Sequence, residues 1–258
     1  MESSNPAFRN LGRVQNMTPP PTPDQLQQMY NQPSYQAPPR ERYLTLDDVV
    51  TKTALVLVAA VVSGVLAITL NFSTVVLIPA VLVGLVISLI VIFKQSTNPA
   101  LILTYSIAEG VALGTITGLF ESIPKWEGIG IQALAGTLGV FVGMLIVYKT
   151  GAIRVTPKFT KFMVGAMMGV LGLVLVNLML SLFGVNTHLR DGSGLSIVVS
   201  VVIIVIAALS FLLDFDMIDK AIRQGAPAQM AWYFAFSLML TLVWLYLEIL
   251  RLLASMRD

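Results

Sequence analysis

Long apolar stretches alternate with short polar breaks along most of this chain. A hydrocarbon core of about 30 Å takes roughly 20 apolar residues when crossed by a helix. Scanning at that length gives seven spans, at Thr53–Phe72, Val75–Phe93, Pro99–Phe120, Ile131–Tyr148, Phe162–Phe183, Leu195–Leu213 and Met230–Leu253. The breaks between them are too short for a soluble domain. An open sheet cannot satisfy its backbone in lipid. The pattern therefore predicts an all-α, polytopic membrane protein, with seven transmembrane helices in one bundle over residues 46–258. Ahead of them, residues 1 to about 45 are rich in Pro, Gln, Asn and Ser and lack the apolar core of a signal sequence. Such a stretch cannot bury enough apolar surface to offset its ordering entropy, so a disordered cytoplasmic tail is expected. A short recognition motif built on its tyrosines and prolines is the alternative.

Composition agrees with the spans. The 258 residues are 56% hydrophobic and 12% charged, with a mean hydropathy of +0.81, where a water-soluble domain carries about a quarter charged residues. The lipid bilayer is the expected surrounding, and a formal charge of +2 gives no ground for a nucleic-acid partner. The absence of cysteine excludes disulfides, thiol catalysis and Cys-based metal sites. A single histidine, His188, excludes multi-histidine metal motifs.

Lys and Arg set the expected direction of insertion. With the N-terminus cytoplasmic, twelve of the 16 basic residues fall inside, and Lys125, Arg190, Arg251 and Arg257 fall outside. The tail is then inside and the C-terminus outside. Small residues mark expected close helix contacts. Gly110, Gly114 and Gly118 recur every four residues on the third span, and Gly165 and Gly169 on the fifth. Helix packing is the expected role. Freedom for the third helix to bend during gating is the other reading.

Most of the 14 acidic residues lie in the tail, in loops or at helix starts. Glu109, in "LTYSIAEGVALG", falls about ten residues from either end of its span, near the bilayer midplane by the helical rise. An acid there is costly and marks function or pairing inside a bundle. A protonated Glu bonded to a neighbouring helix is the structural reading. "SFLLDFDMIDKAIR" carries Asp214, Asp216 and Asp219. Asp219, beside Lys220 and Arg223, reads as a solvated exit residue. Asp214 and Asp216 stand about 200° apart on a helix, so Asp214 is expected to point inward, and Asp216 is a weaker candidate for the same path. Glu248 has Arg251 three residues on, on the same face, and a local ion pair is a fair reading. In a hairpin turning near residue 226, Asp214 faces roughly Leu238. Asp214 and Glu248 then differ by about 15 Å in depth.

These residues carry a resemblance. "NPALILTYSIAEGVALGTITGLFE", "DFDMI" and "LYLEILRLL" are similar to motifs of the Bax-inhibitor-motif (TMBIM/YccA) membrane family, from about residue 46 to the end. The family's Asp-Thr-Gln-x-Ile maps onto Asp214 and Asp216, and its second aspartate onto Glu248. The resemblance implies a multi-pass protein of a bacterial plasma membrane. Bacterial members are described as pH-sensitive calcium leak channels gated by paired aspartates, and relatives as modulators of stress responses or membrane proteolysis. It thus implies Glu109, Asp214, Asp216 and Glu248 as ion-pathway or pH-sensing groups. Asp214 and Glu109 become candidates for transient calcium contact, and no resident cofactor is implied. Two departures weigh against a close di-acid latch: Glu replaces Asp at 248, and the interval from Asp214 to Glu248 exceeds the family's usual spacing.

The chemistry allows the same reading without the family. Ca²⁺ takes carboxylate and carbonyl oxygens, and a proton on a desolvated acid changes which packing is favoured. A closed state held by protonated or mutually bonded acids would open as they ionise. Two rivals stand beside this. One is a proton-coupled transporter, although the chain shows no halves with corresponding broken helices. The other is a regulatory partner of a membrane protease or stress-response complex. An enzyme is not expected: paired histidines, HExxH and a GxGD setting are all missing from the sequence.

Overall fold

Polar residues that can cap a helix stand at the starts of several apolar runs. Thr45 and Asp48 form a reciprocal capping box, Thr156 accepts from the Phe159 amide, and Asn98 accepts from the Ala100 amide with Pro99 at the first helical position. Such caps satisfy amides that have no partner inside a helix. The computed structural model describes residues 22–31, 42–184 and 194–257. It contains α1 (Leu46–Thr69), α2 (Thr74–Lys94), α3 (Pro99–Glu121), α4 (Ile129–Thr150), α5 (Pro157–Leu182), α6 (Gly194–Arg223) and α7 (Met230–Arg257). All seven are long and apolar enough to cross a membrane. The expected spans are each found, and α6 continues ten residues past the end of its apolar span, as the helical pattern up to the break at Gly225 and Pro227 allows, carrying Asp214, Asp216 and Asp219 inside the helix.

The tail differs from expectation in two places. A nine-residue helix, Pro23–Asn31, forms within it, in a unit of its own that ends at Arg40. The bundle unit starts at Glu41 instead of residue 46, because Leu44 is buried in the core. The rest of the expected tail and the loop bearing His188 lie outside the described residues.

Helix α7 is the centre of the bundle. Of its most apolar eighteen residues 61% are buried, against 11% for α5, and it touches α1, α3, α4 and α6. One apolar core joins α7 to α4 and α6 through Ala133, Phe211, Phe215 and Leu245. A second joins it to α1, α2 and α3 through Val56, Val91, Tyr105 and Phe236. The ends of the helices also differ in charge. Lys52, Lys94, Lys149, Arg154, Lys158, Lys161, Lys220 and Arg223 gather at one end, called the basic end below.

Candidate intramembrane acid sites

Helices α6 and α7 are joined by a short turn in which Gly225 takes a φ of 70°, a left-handed value that favours glycine. They therefore pack as a hairpin, and hydrogen bonds fix its register. Ser237 Oγ and Thr241 Oγ1 of α7 donate to Asp214 Oδ1 and Oδ2 of α6, both at 2.9 Å. Nearer the far end, Arg251 Nη2 donates to Ser200 Oγ at 3.2 Å. Asp214 is 8% exposed, points into the bundle as expected, and lies level with the Leu238 region. No cationic side chain among the described residues pairs with it.

The α6–α7 seam is layered. Toward the basic end lie Ser210, Asp214, Ser237 and Thr241. Toward the far end lie Ser196, Ser200, Glu248 and Arg251. Between them the register brings Ala207 level with Leu245, both fully buried, flanked by Ile203 and Leu242. Tyr246 turns to α3 instead, where its hydroxyl shares a 2.6 Å hydrogen bond with Thr117. Seven positions separate Thr241 from Glu248, about 10 Å of helical rise. Glu248 is 5% exposed and pairs with Arg251 at 2.5 Å. Asp214 and Glu248 are thus not brought together.

Glu109 sits on a different interface. Its carboxylate lies against Gly84 of α2, where an added Cβ would come within 2.7 Å of Oε1. A glycine at that position makes the room the acid occupies. Among the described residues no group of three or more His, Cys, Asp or Glu side chains converges on a metal site.

The resemblance read from three motifs now extends along nearly the whole sequence. The family model described as Bax inhibitor 1 like matches residues 5–258. The chain belongs to the Bax-inhibitor-1-like family. A comparison with the curated proteins gave no match. The family match includes most of the tail, which the motif resemblance had left out.

Within this Bax-inhibitor-like bundle the remaining candidates divide. Asp216 pairs with Lys220 at 2.6 Å and Asp219 with Arg223 at 2.8 Å. Both acids border an open cleft of about 380 Å³ at the basic end, with Tyr148 and Arg154. Asp216 therefore lies at the mouth of the bundle and not on the seam, because it is turned away from Asp214 on the helix. The glycines also divide. Gly110 and Gly114 pack on α1 against Ala60, Ser63 and Gly64, whereas Gly118, Gly165 and Gly169 have nothing within 4 Å of where a Cβ would stand. Among the described residues, the expected close packing is therefore seen at Gly110 and Gly114 and not at these last three.

Several residues that contact the candidate acids or their partners escaped the sequence reading. Ser237 and Thr241 hold Asp214, Gly84 seats Glu109, and Ser200 meets Arg251. The two hydroxyls flank Leu238, the residue expected opposite Asp214, and a search for polar residues around that position would have found them. Gly84 is a lone glycine in the most apolar span, and nothing in the sequence ties it to Glu109.

Proposed function

We propose that this protein is a pH-sensitive cation leak pathway of the cell membrane, with calcium the favoured ion and Asp214 the group whose proton governs closure. One observation carries this reading: each oxygen of a buried carboxylate receives a hydroxyl from α7, and among the described residues neither receives a cation. In the neutral acid one of these bonds reverses: the carboxyl proton goes to the Thr241 hydroxyl, which can donate onward to the Ser237 carbonyl at 3.4 Å. Once ionised, the group leaves a charge in the interior without a counter-ion, a state costing several kcal/mol before water or a cation reaches it, by order of magnitude. Parting α6 from α7 is the direct relief. It admits water and a hard cation that prefers oxygen ligands, in a passing contact with one carboxylate. The proposed activity is passage, not catalysis.

The sign follows. Raising pH removes the proton and favours opening; lowering pH restores the closed hairpin. In proteoliposomes, wild-type Ca²⁺ flux should rise with pH, whereas Asp214→Asn, permanently neutral, should give low flux at every pH. Glu109 is proposed as an independent second site, so Glu109→Gln should leave the pH response in place. Flux and pH response unchanged in Asp214→Asn would sink the reading.

A further inference from the structure

The basic end holds a feature that the acid sites leave unused, an open cleft of about 740 Å³. Pockets that hold small ligands run from about 300 to 1,000 Å³. The walls come from the start of α1, the α2–α3 loop, the first residue of α3 and the start of α7. Backbone bonds hold the rim together. The Leu44 amide donates to the Ala226 carbonyl, and the Ala228 amide to the Arg42 carbonyl, both at 2.8 Å. The segment leading into α1 is thereby tied to the turn that leads into α7.

The polar groups here are unevenly used. Asp48 is the acid of the lining, and its oxygens are occupied. Arg42 donates to Oδ1 at 2.9 Å, and the Thr45 hydroxyl and amide donate to Oδ2 at 2.6 and 3.1 Å. Lys52 differs. Its ammonium lies 5.0 Å over the ring centre of Trp232, and no carboxylate among the described residues forms an ion pair with it. Asn98 has its carbonyl oxygen taken by the Ala100 amide at 2.9 Å, which leaves its NH₂ as a donor. Thr97 adds a hydroxyl. The cleft thus combines surplus donors with an ammonium that feels the charge of Asp48 but, among the described residues, forms no direct ion pair.

We infer that this cleft binds a phosphate-bearing anion, which Lys52 meets as a point charge and Asn98 and Thr97 meet as donors. Basic pockets at the ends of transmembrane helices take anionic headgroups, and tryptophan beside lysine suits the membrane–water boundary. The anion can come from a lipid headgroup or from free phosphate. Either would bridge α1, α3 and α7. The site does not depend on ion passage.

Native mass spectrometry of the full chain, released from micelles holding equal phosphatidylglycerol and phosphatidylcholine, tests this. The wild type should retain phosphatidylglycerol preferentially. Lys52→Gln should cut that preference about fivefold, the weight of one basic residue near an anionic surface. Lys52→Arg should restore it, and Lys158→Gln, on the first turn of α5 away from the cleft, should leave it alone. Displacement of the lipid by inorganic phosphate, or binding of phosphate alone with the same loss in Lys52→Gln, would assign the free anion as ligand and sustain the site. Retention unmoved by phosphate would assign the lipid. Equal retention of the two lipids without phosphate binding, or equal effects of Lys52→Gln and Lys158→Gln, would overturn the inference.

Discussion

Gly110 and Gly114 are the positions where the backbones of α1 and α3 come closest. A Cβ on Gly110 would lie 2.2 Å from the Ala60 carbonyl oxygen, and one on Gly114 2.2 Å from that of Gly64. These are backbone atoms and cannot swing aside, so alanine forces the helices apart. Overpacking of this kind costs about 1–3 kcal/mol. Gly110→Ala and Gly114→Ala should each lower the thermal midpoint in detergent, while Gly118→Ala and Gly165→Ala should leave it where it is. Equal losses at all four positions would show that the cost is one of helix propensity or lipid contact. The glycine spacing alone could not make this distinction. A four-residue repeat states that a small face exists, and only the neighbouring helix decides whether anything uses it. Glu109 teaches the same lesson: its place at mid-helix could be read from the chain, but its seat belongs to α2, and no local signal in α3 points there.

The α6–α7 hairpin was legible to a useful depth. A turn near residue 226 and a rise of about 1.5 Å per residue were enough to set Asp214 opposite the Leu238 region and away from Glu248. The structure keeps that register and adds Ser237 and Thr241. The extent of α6 was legible too: hydropathy alone stops at Leu213, but the helical pattern continues to the break at Gly225 and Pro227, through last turns that end in i,i+4 ion pairs. The seam's apolar layer is an element property that no residue carries by itself. Ala207 and Leu245 separate the polar layer of Asp214 from that of Glu248 and Arg251 by about two turns, and water has no polar foothold between them. If cations leak along this seam, Leu245 is the barrier. Leu245→Ser should raise Ca²⁺ flux at low pH severalfold and flatten its pH dependence, whereas the lipid-facing Val198→Ser should do neither. Leu245→Met, close in volume, should retain wild-type closure. Unchanged flux in a correctly folded Leu245→Ser would move the barrier elsewhere, even if Asp214→Asn still abolished the pH response.

For the molecule as a whole, the expected direction of insertion rests on charge, and the structure shows which of these charges are held by partners. Four basic residues were expected outside against twelve inside. Among the described residues of the four, Arg251 and Arg257 are committed to fixed partners. Arg251 is paired with Glu248 and bonded to Ser200, and Arg257 donates to the carbonyls of Lys125 and Glu127 and to Gln132 Oε1. A cation held by acceptors at its own end weighs less in retention than one free to meet anionic headgroups, and Lys220 and Arg223 at the basic end are held in the same way. Because the chain contains no cysteine, single cysteines can report sidedness without background. Met256→Cys, at a site 66% exposed near the end of α7, should react with a membrane-impermeant maleimide on intact cells. Gln28→Cys, on the exposed helix of the tail, should react only after permeabilisation. The reverse labelling would invert the molecule, and would put Asp214 and the cleft beside Lys52 on the outer half, where the proton on Asp214 could not report on the cytoplasm.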